Sequence, residues 1–175
     1  MNACKWFVVG CALLTGCGGG AVSRPSGTTF SAEQELLFDN GVDFVADPEI
    51  EDSAWSDAWA RALQARLDDA QVIAFVNAAT VRTDTNPRGE NSYRLQVSVD
   101  RWVKGQLGSK ELNLVSSPKD PGYTATKSNF SRALGAKFVV FLRWREGTDD
   151  GPDVLHWHAS VLDDTLRTAV LRGAP

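Results

Sequence analysis

Cysteine is scarce in this chain, with three among 175 residues, all at the N-terminal end: Cys4, Cys11 and Cys17. A disulfide-stapled scaffold is therefore excluded beyond residue 17, and no thiol there can act as nucleophile or metal ligand. Histidine is scarcer still: His156 and His158 are the only two, so a site of three or four imidazoles cannot be assembled. There is no basic excess either. The formal net charge is −4, opposite in sign to what displacing the counterions of DNA or RNA requires, and nucleic acid is not an expected partner. The apolar run Trp6–Leu14 falls far short of the ~20 residues a bilayer-spanning helix needs. A Gly-rich phosphate loop, a Gly-x-Ser-x-Gly elbow and a His-Glu-x-x-His pair are all missing, so no catalytic residue is nominated. What remains is 43% hydrophobic and 23% charged. That composition and length suit a single domain with one sizeable core.

The N-terminus carries an address. Lys5 and the amino group supply a positive start, Trp6–Leu14 an apolar stretch, and Thr15-Gly16 a small-residue ending, which is the order of a secretory signal. Leu14-Thr15-Gly16-Cys17 resembles the lipobox of bacterial lipoproteins. The resemblance implies a signal peptide over residues 1–16, cleavage before Cys17, and diacylglycerol with fatty acyl chains such as palmitate on the Cys17 sulfur. That covalent lipid is the only non-protein group expected. It implies a membrane partner through the anchor and a place in the cell envelope. Gly18 rather than Asp after the anchor favours the outer over the inner membrane in a diderm cell. Cleavage also removes Cys4, Cys11 and Lys5, leaving Cys17 as the sole cysteine.

Residues 17–29, rich in Gly, Ser and Pro, read as a flexible tether. Residues 30–70 read as an acidic helical preface packed on a β-domain over residues 71–175. The preface carries 11 acidic side chains against Arg61 and Arg66. Ser31 and Gln34 have capping-box spacing for a short helix, with Asn40-Gly41 as its stop. Ser53 can cap a second, amphipathic helix in which Trp55, Trp59, Ala62, Leu63, Arg66 and Leu67 share a face. From residue 71 to 175 the period becomes 2. Strands are expected over Gln71–Arg82, Tyr93–Val99 with a slip at Arg101-Trp102-Val103, Lys110–Val115, Phe138–Trp144 and Val154–Leu162. Asp163-Asp164-Thr165 opens either a last helix or a sixth strand.

Five such strands behind a helix fit a mainly β, α+β fold: a small antiparallel barrel preceded by an amphipathic helix. The string Val72–Val76, Tyr93–Val99, Val103-Lys104-Gly105, Leu112–Val115 and Gly135–Leu142 resembles the netrin-like modules of the OB-fold type, the architecture of tissue metalloproteinase inhibitors. The resemblance implies a five-stranded OB-like barrel. It does not carry the inhibitors' mechanism, because their free N-terminal cysteine and their disulfides have no counterpart here.

Chemistry is sparse. His156 and His158 fall on one face of a strand and, with Asp153 nearest in sequence, form the one candidate metal set, for a metal carrier or metal-dependent hydrolase. Asp47, Glu49, Glu51 and Asp52 lack the glycine and spacing of a calcium loop. Arg143 and Arg145 share a strand face where a surface glycan could bind. The stretch Ser116–Leu134 reads as a long loop with Lys119, Tyr123, Lys127 and Arg132 as candidate partner-binding residues, since long loops carry function disproportionately. The function expected is that of a non-enzymatic binding module whose partner is an envelope protein or glycan.

Overall fold

Alternating side chains over Tyr93–Val99 and unbroken apolar runs over Val72–Val76 and Phe138–Leu142 build strands, and the computed structural model shows how they join. It describes residues 24–44, 53–148 and 151–174, with side chains in the second helix from Ser56 onward. The lipobox with Cys17, the tether up to Ser23, the acidic cluster Asp47–Asp52 and the Trp55 ring lie outside the described residues. The helices are α1 (Ala32–Leu37), α2 (Ser53–Asp69), α3 (Tyr123–Asn129) and α4 (Asp164–Gly173). The strands are β1 (Gly41–Asp43), β2 (Val72–Thr85), β3 (Asn91–Lys104), β4 (Glu111–Ser116), β5 (Lys137–Arg145) and β6 (Val154–Val161).

Among the described residues the strands form one curled sheet in the order β1-β6-β5-β2-β3-β4. The fold is mainly β with flanking helices and barrel-like, but it is not the expected five-stranded antiparallel barrel. A sixth strand, β1, pairs in parallel with β6 through Gly41↔His158, Val42↔Ala159 and Asp43↔Ser160. Three residues carry no periodic signal, so Asn40-Gly41 reads from sequence only as a helix stop. Asn40 does turn the chain, with φ 55. It also caps the β6 edge: its N–H donates to the Trp157 carbonyl at 2.8 Å, and its Oδ1 accepts from the Trp157 N–H at 3.0 Å. The slip at the end of β3 is real, for the β2–β3 register shifts between Ile73 and Ala74 and again between Phe75 and Val76. A third shift, between Ala78 and Thr80, puts Val81 rather than Thr80 on the apolar face.

Alternation splits the core in two. Val72, Ala74, Val76, Leu95, Val97, Leu114, Phe138, Val140, Leu142 and Trp157 fill the inside of the curl. Ile73, Phe75, Val139 and Phe141 point to the other face. There they meet Leu37 and Phe38 at the end of α1, Leu63 and Leu67 of α2, and Leu166 and Val170 of α4. Strand β5 is buried on both sides, as its unbroken apolar run requires. The α1 capping box is present, with Gln34 N–H donating to Ser31 Oγ at 3.2 Å and Ser31 N–H to Gln34 Oε1 at 3.1 Å. Residues 163–173 take the helical option, Asp163 capping α4 by accepting from Leu166 N–H at 2.6 Å.

The stretch 116–134 is not a structureless loop. It contains α3 and a 3-10 turn over Phe130–Arg132, which sequence reading misses because YTATKSN has neither a side-chain cap nor an apolar stripe. Tyr93 of β3 stacks on Phe130 and Tyr123, with centroids 4.6 and 5.6 Å away. Gly122 N–H donates to the Asp39 carbonyl at 2.8 Å and Val42 N–H to Thr126 Oγ1 at 3.2 Å. The segment thus straps β1 beside the β4 end of the curl. A Cβ on Gly122 would overlap the Gly41 backbone, so the strap demands glycine there. The described end of the tether is also bonded: Thr28 bridges Arg145, and Gly27 N–H donates to Asp153 Oδ2 at 2.8 Å.

Candidate functional site

Parallel pairing of β1 with β6 brings residues far apart in sequence into one cleft. Asp39 precedes β1, His158 lies on the helix-covered face of β6, and Arg66 descends from α2. His158 Nδ1 lies 2.9 Å from Asp39 Oδ1, and His158 is only 5% exposed. An ionised carboxylate can only accept, so the shared proton sits on Nδ1 and Nε2 is left as a bare acceptor. Among the described residues no hydrogen-bond partner reaches that Nε2, nor the buried Nε2 of His156.

Charge and burial set the protonation states. Burial pushes Asp39 up, but the hydrogen bond and charge of His158, the Arg66 guanidinium and the Gly41 N–H together outweigh it and hold Asp39 below the usual carboxylate range. Burial, reinforced by the Arg66 charge, pushes His158 below the ordinary imidazole value even though Asp39 pulls the other way. At neutral pH the pair is therefore Asp39 ionised and His158 neutral. Arg66, 8% exposed, balances the cluster through the fields of Asp39 and Asp43. Its Nε also donates to the Leu37 carbonyl at 2.9 Å, satisfying the end of α1.

Above this floor opens a cavity of about 560 Å³. Trp59 and Phe44 supply aromatic surface, Ala58, Ala62 and Ala125 leave room, and Asn129 and Arg132 add polar groups. Trp59 Nε1 donates to Asp43 Oδ2 at 2.7 Å, fixing the indole. The Arg132 guanidinium lies 5.0 Å from the Phe44 ring centroid.

The residues nominated from sequence scatter. Arg132 lines this cleft, whereas Lys119 lines a second cavity of about 410 Å³ with His156 and Arg145. Lys127 is exposed on α3, and the Tyr123 hydroxyl donates to the Asn91 carbonyl at 2.9 Å. His156 packs on Phe30 with centroids 5.0 Å apart. Burial, then the nearby Arg145 charge, lowers its pKa. Asp153 is bonded to the Gly27 amide and paired with Arg24, so the structure brings it to the tether rather than to the imidazoles. Among the described residues no group of three or more His, Cys, Asp or Glu is placed to hold a metal ion. Arg143 reaches the Asp69 carbonyl and Arg145 reaches Glu35, so both tie helices to the sheet.

Sequence reading misses Asp39, Asp43, Phe44, Asn129 and the role of Arg66. The one usable signal is an arginine on the apolar face of α2, since a buried guanidinium requires a carboxylate nearby. Comparison with protein-family models, curated proteins and solved structures finds no match to this chain.

Proposed function

We propose that the chain is a lipid-anchored protein of the bacterial cell envelope, held by acyl chains on Cys17, and that its folded domain is a non-enzymatic module binding envelope glycan in the Asp39–Arg66–His158 cleft. The outer membrane is the proposed location, on the strength of Gly18. The observation that carries the reading is the cleft itself. A volume of about 560 Å³ lies within the range of small-ligand sites. Its chemistry, aromatic Trp59 and Phe44 beside Asp39, Asn129 and Arg132, is that of sugar recognition: C–H faces of a pyranose lie on a ring while its hydroxyls bond planar polar side chains. The finer fold reading is also a proposal. With β1 set aside, the order β6-β5-β2-β3-β4, with α3 between β4 and β5, supports an OB-type barrel held open between β4 and β6 by the inserted strand.

The test is co-sedimentation of the full chain, in detergent, with purified peptidoglycan sacculi. Trp59→Ala and Arg132→Ala should each weaken retention about tenfold, a loss of roughly 1.4 kcal/mol. Retention of both variants at the level of the parent chain sinks the cleft assignment.

One observation favours a second reading, a metal-binding protein or metal-dependent hydrolase using His156 and His158. Both imidazoles leave Nε2 buried and without a hydrogen-bond partner among the described residues, and Asp39 orients His158 as a carboxylate orients a metal-ligating histidine. Calorimetric titration of the full chain with zinc, compared with His156→Ala and His158→Ala, separates this reading from the first.

A further inference from the structure

The β2–β3 hairpin outruns the sheet. β5 pairs with β2 only from Val72 to Asn77, and β3 pairs with it as far as Thr85↔Asn91. Ala78 makes the last bonds on the β5 side, to Ala136 and Gly135. Beyond it, among the described residues, nothing pairs the outer edge of Ala79–Thr85.

Which groups that edge presents is set by the register. Val99 N–H donates to the Lys110 carbonyl, so the odd residues of this part of β3 turn their backbone toward β4, and Ser92, Arg94 and Gln96 turn theirs toward β2. Those three stand opposite Asp84, Arg82 and Thr80, which use their backbone groups inward. Val81, Thr83 and Thr85 therefore hold their N–H and C=O outward. Such an edge is a template for another strand unless it is blocked, and its residues are β-branched rather than proline.

The side chains name the occupant. Arg82 stands directly opposite Arg94 in the hairpin, an unfavourable pairing of like charges. Arg94 turns to Asp84, with Nε 2.9 Å from Oδ2, and no hydrogen bond or ion pair holds Arg82 among the described residues. Rotation of the edge by a two-fold axis through Thr83 places Arg82 opposite Asp84 of a second copy, twice. Thr83 then faces its own copy as a hydrogen-bonded pair, Val81 faces Thr85, and both Arg–Asp pairs fall at the non-hydrogen-bonded positions where side chains approach most closely. Leu134, 60% exposed beside Gly135, adds apolar surface at the same margin.

We propose that the free edge of β2 is a homodimer interface, in which two copies join antiparallel strands about Thr83 into one continuous sheet. A single strand pair is a small interface, so the dimer is weak in solution. A membrane anchor raises the effective concentration of the two copies and favours the pair.

Light scattering and amide hydrogen exchange on the full chain in detergent, over a concentration series, test this. The expected result is a doubling of protein mass with concentration and at least tenfold slower exchange at Val81, Thr83 and Thr85. Thr83→Pro removes an outward N–H, a position where an edge strand tolerates proline, and should give a monomer. Arg82→Asp should weaken the dimer about tenfold. The double change Arg82→Asp with Asp84→Arg should restore it, since it recreates both pairs and leaves Arg94 facing a carboxylate. A single mass at every concentration, an edge protected equally in the dilute monomer, a dimer that survives Thr83→Pro, or a double reversal that fails to restore association overturns the proposal.

Discussion

Replacing Arg66 with methionine removes the guanidinium from the floor of the cleft while keeping most of the side-chain volume. Packing loss is then small, under about 1.5 kcal/mol for a volume-conserving change. Electrostatics dominates. The Leu37 carbonyl loses a charged donor at 2.9 Å, worth about 1.5–3 kcal/mol. Asp39 keeps its hydrogen bonds from His158 and Gly41 but loses the positive field that offsets its burial. Breaking a contacting buried charge pair from one side costs about 3–5 kcal/mol; Arg66 acts on Asp39 through its field rather than by contact, so that range is the upper bound on the destabilisation in urea unfolding. The part due to the uncompensated carboxylate should return in the double variant Arg66→Met with Asp39→Asn, while the loss at the Leu37 carbonyl stays; a coupling above about 1.5 kcal/mol is expected. A single-variant loss below about 1 kcal/mol, or losses that simply add, refutes a cluster held together by mutual charge compensation.

Acid should destabilise the fold from about pH 6.5 downward. His158 and His156 are held below their ordinary value when folded, so between the folded and unfolded pKa values the unfolded chain binds more protons, and stability falls as pH falls, by at most about 1.4 kcal/mol per pH unit for each proton. Asp39, depressed when folded, contributes above its unfolded value near 3.9 and loses that contribution only in stronger acid. Unfolding free energy that stays level between pH 7 and 5 contradicts the buried neutral imidazoles. Gly122→Ala should cost about 1–3 kcal/mol through overpacking against Gly41, read as a drop in thermal midpoint; an unshifted midpoint would show that the strap yields. Cys17→Ser should abolish fatty-acid labelling of the expressed chain, and labelling that persists removes the lipoprotein proposal.

Local pattern and long-range partnership are not equally legible. Alternation along Tyr93–Val99 and Val154–Val161 announces strands, and the Ser31–Gln34 spacing announces a capped helix, because each rests on neighbours a few residues away. Alternation also puts His156 and His158 on one face. What those imidazoles meet depends on contacts spanning 119 residues, as between His158 and Asp39. The element that delivers Asp39 is β1, too short for any periodicity to register. Ser116–Leu134 misleads for a related reason. Turn residues such as Pro118, Pro121 and Gly122 open it, and the helix that follows them forms against β1 and Tyr93 rather than from its own propensity. Arg132 stands out in sequence by its charge, but its place over Phe44 comes from that tertiary fold.

The indole N–H of Trp59, bonded to Asp43 within the cleft at 2.7 Å, is the most direct reporter of the proposed function. Its proton resonance, assigned by its loss in Trp59→Phe, can be followed while soluble peptidoglycan fragments are titrated into the full chain in detergent. A glycan-binding cleft predicts a saturable shift of that resonance, abolished in Arg132→Ala at the same fragment concentrations. A resonance that stays in place to millimolar fragment, or moves identically without Arg132, contradicts it.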